Sequence, residues 1–205
     1  NKNNSVFLNK INFAESKNFI KVKNINLNSK KKLKRIDQID VDLVNNNDQI
    51  SQLNIKRKKS NYSINSKIFD GAKILDRILF SKSEGNFFDV FEKLNSKVSI
   101  NFNTIYITNE DYLNSFKADI IVNNNQIKDL ILSSQFSTKE DLKLSIKTNS
   151  NNERITDLFA GNAKPLVKKY DFIKGFGGGY LKFDSIEKNK VSNSNLKIFD
   201  FKLKE

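Results

Sequence analysis

The chain contains no cysteine, no histidine, no methionine and no tryptophan. Without cysteine there is no disulfide framework, no thiolate nucleophile and no thiolate-ligated zinc. Without histidine, the usual general base at neutral pH and the commonest metal ligand are missing as well. Arginine is scarce: it occurs only at Arg35, Arg57, Arg77 and Arg154. The rest of the positive charge is lysine, and the net charge is +13. Abundant Lys, Asn and Ile with little Arg is what an AT-rich coding sequence gives. Nucleic-acid readers favour Arg for bidentate contacts, and no arginine cluster exists, so nucleic-acid binding is not expected. No apolar run approaches the ~18 residues of a membrane span, and no signal peptide is present. A chain without methionine even at its first position is expected to be a piece of a longer protein, with both ends cut.

What the chain does have is β-pattern. Ile, Leu, Val and Phe dominate its apolar content, and strands bury these well. Alternating stretches fall at 6–13, 19–27, 36–44, 50–55 and 62–69, then at 97–107, 113–122, 127–136 and 142–148. Asn-rich turn signals separate them about every ten residues, the spacing of an antiparallel meander. The expected fold is mainly β: one large curled antiparallel sheet of ten to twelve long strands, of the β-groove type, with two short helices. It reads as a single module over 1–205, with possible sub-units at 1–94 and 95–205. The stretch 29–35 reads as loop, and 87–94 fits a helical turn or a strand equally.

Chemistry is thin. Asp40/Asp42 and Glu110-Asp111 are the carboxylate groupings worth checking, and neither has the spacing of a calcium loop. Neither a catalytic residue nor a metal site nor a cofactor is expected, and the chain does not read as an enzyme. Gly177-Gly178-Gly179 lacks the strand-before, helix-after context of a phosphate loop. It reads as a corner after a helix. The basic runs Lys30-Lys31-Lys32 and Lys56-Arg57-Lys58-Lys59 are candidates for anionic headgroups, against solvated strand ends and turns.

Two short helices cannot cover so many long strands. Part of an apolar sheet face is therefore expected to stay open, as a groove for acyl chains. Val98, Ile100, Phe102, Phe116, Ala118, Ile120 and Val122, in step on two neighbouring strands, are the candidate groove residues. One helix is expected at 71–80, capped by Asp70. The other follows Asn162, a good N-cap, with Pro165 in its first turn. Its apolar stripe, Leu166, Val167 and Tyr170, is expected to plug one end of the sheet.

Four segments carry a family resemblance. They are Asn162-Ala163-Lys164-Pro165-Leu166-Val167-Lys168-Lys169-Tyr170, then Ile173-Lys174-Gly175, then Gly178-Gly179-Tyr180-Leu181-Lys182-Phe183, then Leu196-Lys197-Ile198-Phe199-Asp200-Phe201-Lys202-Leu203. In order and spacing they resemble the C-terminal domain of AsmA-like proteins, the branch related to YhdP and TamB of Gram-negative bacteria. The helix departs from the family pattern by starting Gly161-Asn162-Ala163 rather than with paired aspartates and a glycine. The resemblance implies a periplasmic β-groove, anchored in the inner membrane by an N-terminal helix outside this chain. Such a groove would shield phospholipid acyl chains in passage to the outer membrane. The competing expectation is a structural or adhesive β-repeat protein of the cell surface that binds a protein partner.

Overall fold

The computed structural model describes residues 5–44, 50–71, 88–108, 110–169 and 174–203. Its strands are β1 (Val6–Glu15), β2 (Asn18–Leu27), β3 (Leu33–Arg35), β4 (Gln38–Val44), β5 (Ile50–Lys58), β6 (Asn61–Asp70), β7 (Ser96–Tyr106), β8 (Tyr112–Asn123), β9 (Gln126–Phe136), β10 (Asp141–Thr148), β11 (Arg154–Ala160), β12 (Phe176–Lys188) and β13 (Val191–Leu203). One helix, α1 (Lys164–Lys169), lies between β11 and β12. All thirteen strands form one sheet in sequence order, with the three-residue β3 set aside on β2. Every neighbouring pair is antiparallel except β6–β7. The sheet is not closed: β1 and β13 are its free edges.

The parallel pair β6–β7 requires a crossover between its two strands. Antiparallel neighbours need only a hairpin, but a parallel neighbour needs a return to the starting end. The return lies between Asp70 and Ser96. Both of its described flanks lie on the apolar face. Gly71 sits against Ile105, and Phe88, Phe91 and Leu94 join the core. Segment 88–94 is neither the helical turn nor the full strand that its pattern allows. It is a turn followed by a single parallel bridge, Leu33 to Phe91. The side chain of Asn125, in the β8–β9 turn, holds it: Oδ1 accepts from the Leu94 amide at 2.6 Å and Nδ2 donates to the Phe91 carbonyl at 3.0 Å. Asn124 and Asn125 both have positive φ, the conformation a two-residue hairpin of matching twist requires. The sheet runs unbroken through the possible sub-unit boundary, because β6 pairs with β7 from Tyr62 to Asp70.

The core is one-sided. Phe136, Ile105, Leu113, Leu130 and Val167 are its largest fully buried side chains. Four of them stand on β7, β8 and β9, and the fifth on α1. Asn162 caps α1, its Oδ1 accepting from the Lys164 amide at 3.2 Å, and Pro165 falls in the first turn. The Ala163 amide donates to the Gly179 carbonyl at 2.9 Å. Lys168 pairs with Glu110 of the β7–β8 turn at 3.0 Å. The helix thus spans from β12 to the β7–β8 turn, over one end of the apolar face.

The sequence pattern and the structure differ at three places, and a fourth expected element lies outside the described residues. Leu33–Arg35 is a short strand, paired with β2 and bridged at Leu33 to Phe91, where a loop was expected. β5 continues through Lys56, Arg57 and Lys58 instead of turning at the basic run. The helix expected at 71–80 lies outside the described residues apart from Gly71, which is not helical. The glycine triplet is inside β12 rather than a corner before it: Gly177 pairs with Lys202 and Gly178 with Phe201. Gly178 and Gly179 have φ of 72° and 76°, so the strand is sharply twisted within its pairing, and only glycine does this at low cost. A Cβ on Gly179 would stand 2.5 Å from the Phe199 carbonyl oxygen. Gly179→Val is expected to cost at least about 2 kcal/mol by strain alone. Gly177→Ala, with its nearest neighbour at 3.9 Å, is expected to change stability little. Urea midpoints of the two variants test the contrast.

Candidate functional site

The register builds one feature across the whole sheet. Ile11 pairs with Val22, Val22 with Ile39, Ile39 with Ile55, and Ile55 with Ile64. Ile64 pairs with Ile100, Ile100 with Ala118, and Ala118 with Leu132. Leu132 then pairs with Leu144, Leu144 with Leu158, Leu158 with Phe183, and Phe183 with Leu196. A single apolar row therefore crosses every strand from β1 to β13 except β3. Successive residues point to opposite faces, so the row beside it lies on the other side. That row reads Asn12, Lys21, Asp40, Asn54, Asn65, Asn101, Lys117, Ser133, Lys143, Phe159, Lys182 and Lys197. Only Phe159 breaks its polarity. One face is apolar from edge to edge, and the other is solvated.

Burial along the apolar row is graded. Ala118, Leu132 and Leu144 are buried. Val22, Ile39, Ile55, Ile64 and Ile100 on one side, and Leu158 and Phe183 on the other, are half-buried. At the edges Ile11 and Leu196 are each 45% exposed, and Phe13 is 52% exposed. Segment 88–94 packs at the β8–β9-turn end of the central strands, against Tyr62 and Asn125, and α1 lies over their other end, while the outer residues of the row on both flanks are half-buried or exposed.

The structure brings the candidate groove residues together. Val98 is opposite Ile120, Ile100 opposite Ala118, Phe102 opposite Phe116, and Val122 opposite Ser96. The rings of Phe102 and Phe116 stack at 5.8 Å. These residues are not, however, an open floor. All but Ile100 are buried core, and Ile100 is half-buried against them. The alternation that identified them marks a buried face equally well, because periodicity reports which side a residue faces and not what covers it. The accessible part of the same face lies further out, on β1 to β5 and on β13. Of the plug, Val167 is fully buried and Leu166 packs against the core. Tyr170 lies outside the described residues.

The headgroup candidates divide. Lys56, Lys58 and Lys59 are exposed, with Lys59 in the β5–β6 turn. Arg57 is held by Asp37, Nη1 to Oδ1 at 3.6 Å, so it is part of a structural ion pair. Arg35 grips the same carboxylate from Nε at 2.6 Å and Nη2 at 2.7 Å, and Asn24 adds a bond at 3.2 Å. The hydrogen bond from Arg35 holds the Asp37 carboxyl below the usual carboxylate range, outweighing partial desolvation, with Asn24 and the two guanidinium charges adding to it. A carboxyl depressed in the folded state stabilises above its unfolded pKa, and that stability is lost as pH falls through the folded value. Asp37→Asn is therefore expected to lower the melting temperature at pH 7. The difference from the parent chain should shrink as pH drops below about 4. Melting curves from pH 7 to pH 2 check it.

The carboxylate groupings are structural. Asp40 accepts from Gln38 and Asn54, and Asp42 from Gln52. They line a polar trough of about 590 Å³ on the solvated face. Glu110 is neutralised by Lys168, whose hydrogen bond pulls its carboxyl down, and Asp111 closes the β7–β8 turn with Thr108. Among the described residues no three His, Cys, Asp or Glu side chains gather as a metal site. No described helix is long and apolar enough to cross a membrane.

The pattern reading overlooked the far end of the apolar face. Arg154 stands beside Thr148 and Glu187. Ser185, Ser192 and Ser194 form a triangle of hydroxyls nearby, at 2.7, 2.8 and 3.0 Å. Their signal was the switch from Leu and Phe to Ser and Thr at unchanged alternation. Comparison with protein-family models, curated proteins and solved structures finds no match to this chain.

Proposed function

We propose that this chain is a β-groove module that binds phospholipid acyl chains, as part of an AsmA-like protein on the periplasmic side of the inner membrane. It acts by shielding hydrocarbon and not by catalysis. The observation that carries the reading is the apolar row from Ile11 to Leu196, half-buried or exposed over both flanks of an unclosed sheet. Apolar surface left in water is unfavourable at about 25 cal/mol per Å², and a large exposed patch marks a binding site. A row crossing twelve strands at ~4.8 Å spacing is ~50 Å long, longer than any one acyl chain, and it suits hydrocarbon sliding along it. The location and the membrane anchor rest on the family resemblance of the α1–β12–β13 segments. The test is displacement of a polarity-sensitive dye from the purified chain. Phospholipid vesicles and single-chain lysolipid are expected to displace it, and short water-soluble headgroup analogues are not. Displacement by headgroup analogues alone would defeat the reading.

A second reading draws on the edges. β1 and β13 present unpaired backbone, with Phe7 62%, Val191 73% and Leu203 60% exposed. Such edges pair readily with a strand from another protein. A structural or adhesive role through edge pairing predicts partner binding that survives polar substitutions in the row and fails when β13 receives a proline.

A further inference from the structure

The apolar face changes character toward the β10–β11 and β12–β13 turns. Counting out from Leu144, Leu158, Phe183 and Leu196, the next residues facing the same way are Ile146, Thr156, Ser185 and Ser194, paired in that order. One pair further, Thr148 stands by Arg154, Arg154 by Glu187, and Glu187 by Ser192. The face passes from hydrocarbon to hydroxyl to charge within four residues, ~13 Å along each strand.

This end holds an unanswered donor. The Nε–H of Arg154 is buried and has no hydrogen-bond partner. Glu187, directly across on β12, forms no ion pair with it. Thr148 is already engaged, donating to the Lys128 carbonyl at 3.0 Å. Buried polar groups are nearly always paired, and one left alone calls for an explanation such as a ligand. The serine triangle supplies further groups. Its three hydroxyls bond one another, and each is a rotor that can turn toward an acceptor. A guanidinium with hydroxyl donors suits an oxyanion, which it can hold in two parallel bonds.

We infer that Arg154, with Ser185, Ser192 and Ser194, binds an oxyanion of the phosphate or carboxylate class. The group forms the head of an amphiphile whose tail lies on the apolar row. The inference rests on the acyl-chain reading, which it deepens by assigning the ligand a head end and a direction.

The full chain is titrated with dodecyl phosphate, with neutral dodecylglycerol and with inorganic phosphate. The same is done for Arg154→Gln and Arg154→Lys, with a melting curve on each. Arg154→Gln is expected to weaken dodecyl phosphate about tenfold or more and to leave dodecylglycerol unchanged. Arg154→Lys should restore part of the loss, and inorganic phosphate should bind far more weakly than dodecyl phosphate. Equal weakening of both dodecyl probes would overturn the site, because it reports loss of structure. Unchanged dodecyl phosphate binding in Arg154→Gln would overturn it while leaving the acyl-chain reading intact. If inorganic phosphate binds as tightly as dodecyl phosphate and is lost in Arg154→Gln, the site is one for free anions, and the amphiphile assignment and the acyl-chain reading fall together.

Discussion

Phe136→Ala is expected to destabilise the chain by about 3–5 kcal/mol, the range for deleting a fully buried aromatic ring. Phe136 ends β9 with 2% exposure and sits opposite Leu113, which has none. Both lie at the end of the apolar face that α1 covers. The sheet has one apolar side, so nothing behind Phe136 can collapse into the space. Ile131→Ala on the same strand makes the comparison sharp. Ile131 faces the other way and is 58% exposed, and its loss is expected to change stability by less than about 0.5 kcal/mol. Urea unfolding of both variants separates a one-sided core from a sandwich, in which both residues would matter.

The second large effect concerns binding. Ile39 and Ile55 are neighbours in the apolar row, both half-buried, with Ile55 at the margin of the packed core. Replacing both with serine is expected to weaken acyl-chain binding by about 2–3 kcal/mol, roughly 30- to 150-fold. Asp40 and Asn54 are the equivalent pair one residue along, on the opposite face. Replacing those two with serine removes their mutual hydrogen bond and is expected to leave acyl binding as it is. Fluorescence titration with a labelled fatty acid compares the two double variants. Equal loss in both would mean that binding follows stability and not the row.

The contrast between faces shows how far the sequence could be read. Strand positions were legible because alternation and Asn-rich turns are local signals. Val98, Ile100 and Phe102 were identified as sharing a face with Phe116, Ala118 and Ile120, and the pairing of β7 with β8 places them side by side. What covers that face was not legible. It depends on a parallel β6–β7 pair, whose crossover brings Phe88, Phe91 and Leu94 against the core. No local pattern announces a parallel neighbour. Arg57 illustrates a similar limit. It looked like part of an exposed basic run, but its partner Asp37 is twenty residues earlier, brought close by the register of β4 with β5. The glycine triplet read as a corner after the helix, and two of its members, Gly178 and Gly179, have positive φ. Its position inside β12 depends on Lys202 and Phe201 across the sheet. Arg154 escaped notice because a charged residue at a strand start is ordinary. Only the burial of its Nε–H sets it apart.

The most direct test of the acyl-chain reading is to map where hydrocarbon touches the sheet. A photoreactive cross-linker is placed singly at Ile11, Val22, Ile39, Ile55 and Leu196 on the apolar row. Controls carry it at Lys21, Asp40 and Asn54 on the opposite face, and at Lys56 and Lys58 in the basic run. On illumination with phospholipid vesicles, lipid adducts are predicted at the row positions and not at the controls. Adducts confined to Lys56 and Lys58, with none on the row, would contradict it and reduce the membrane contact to surface charge.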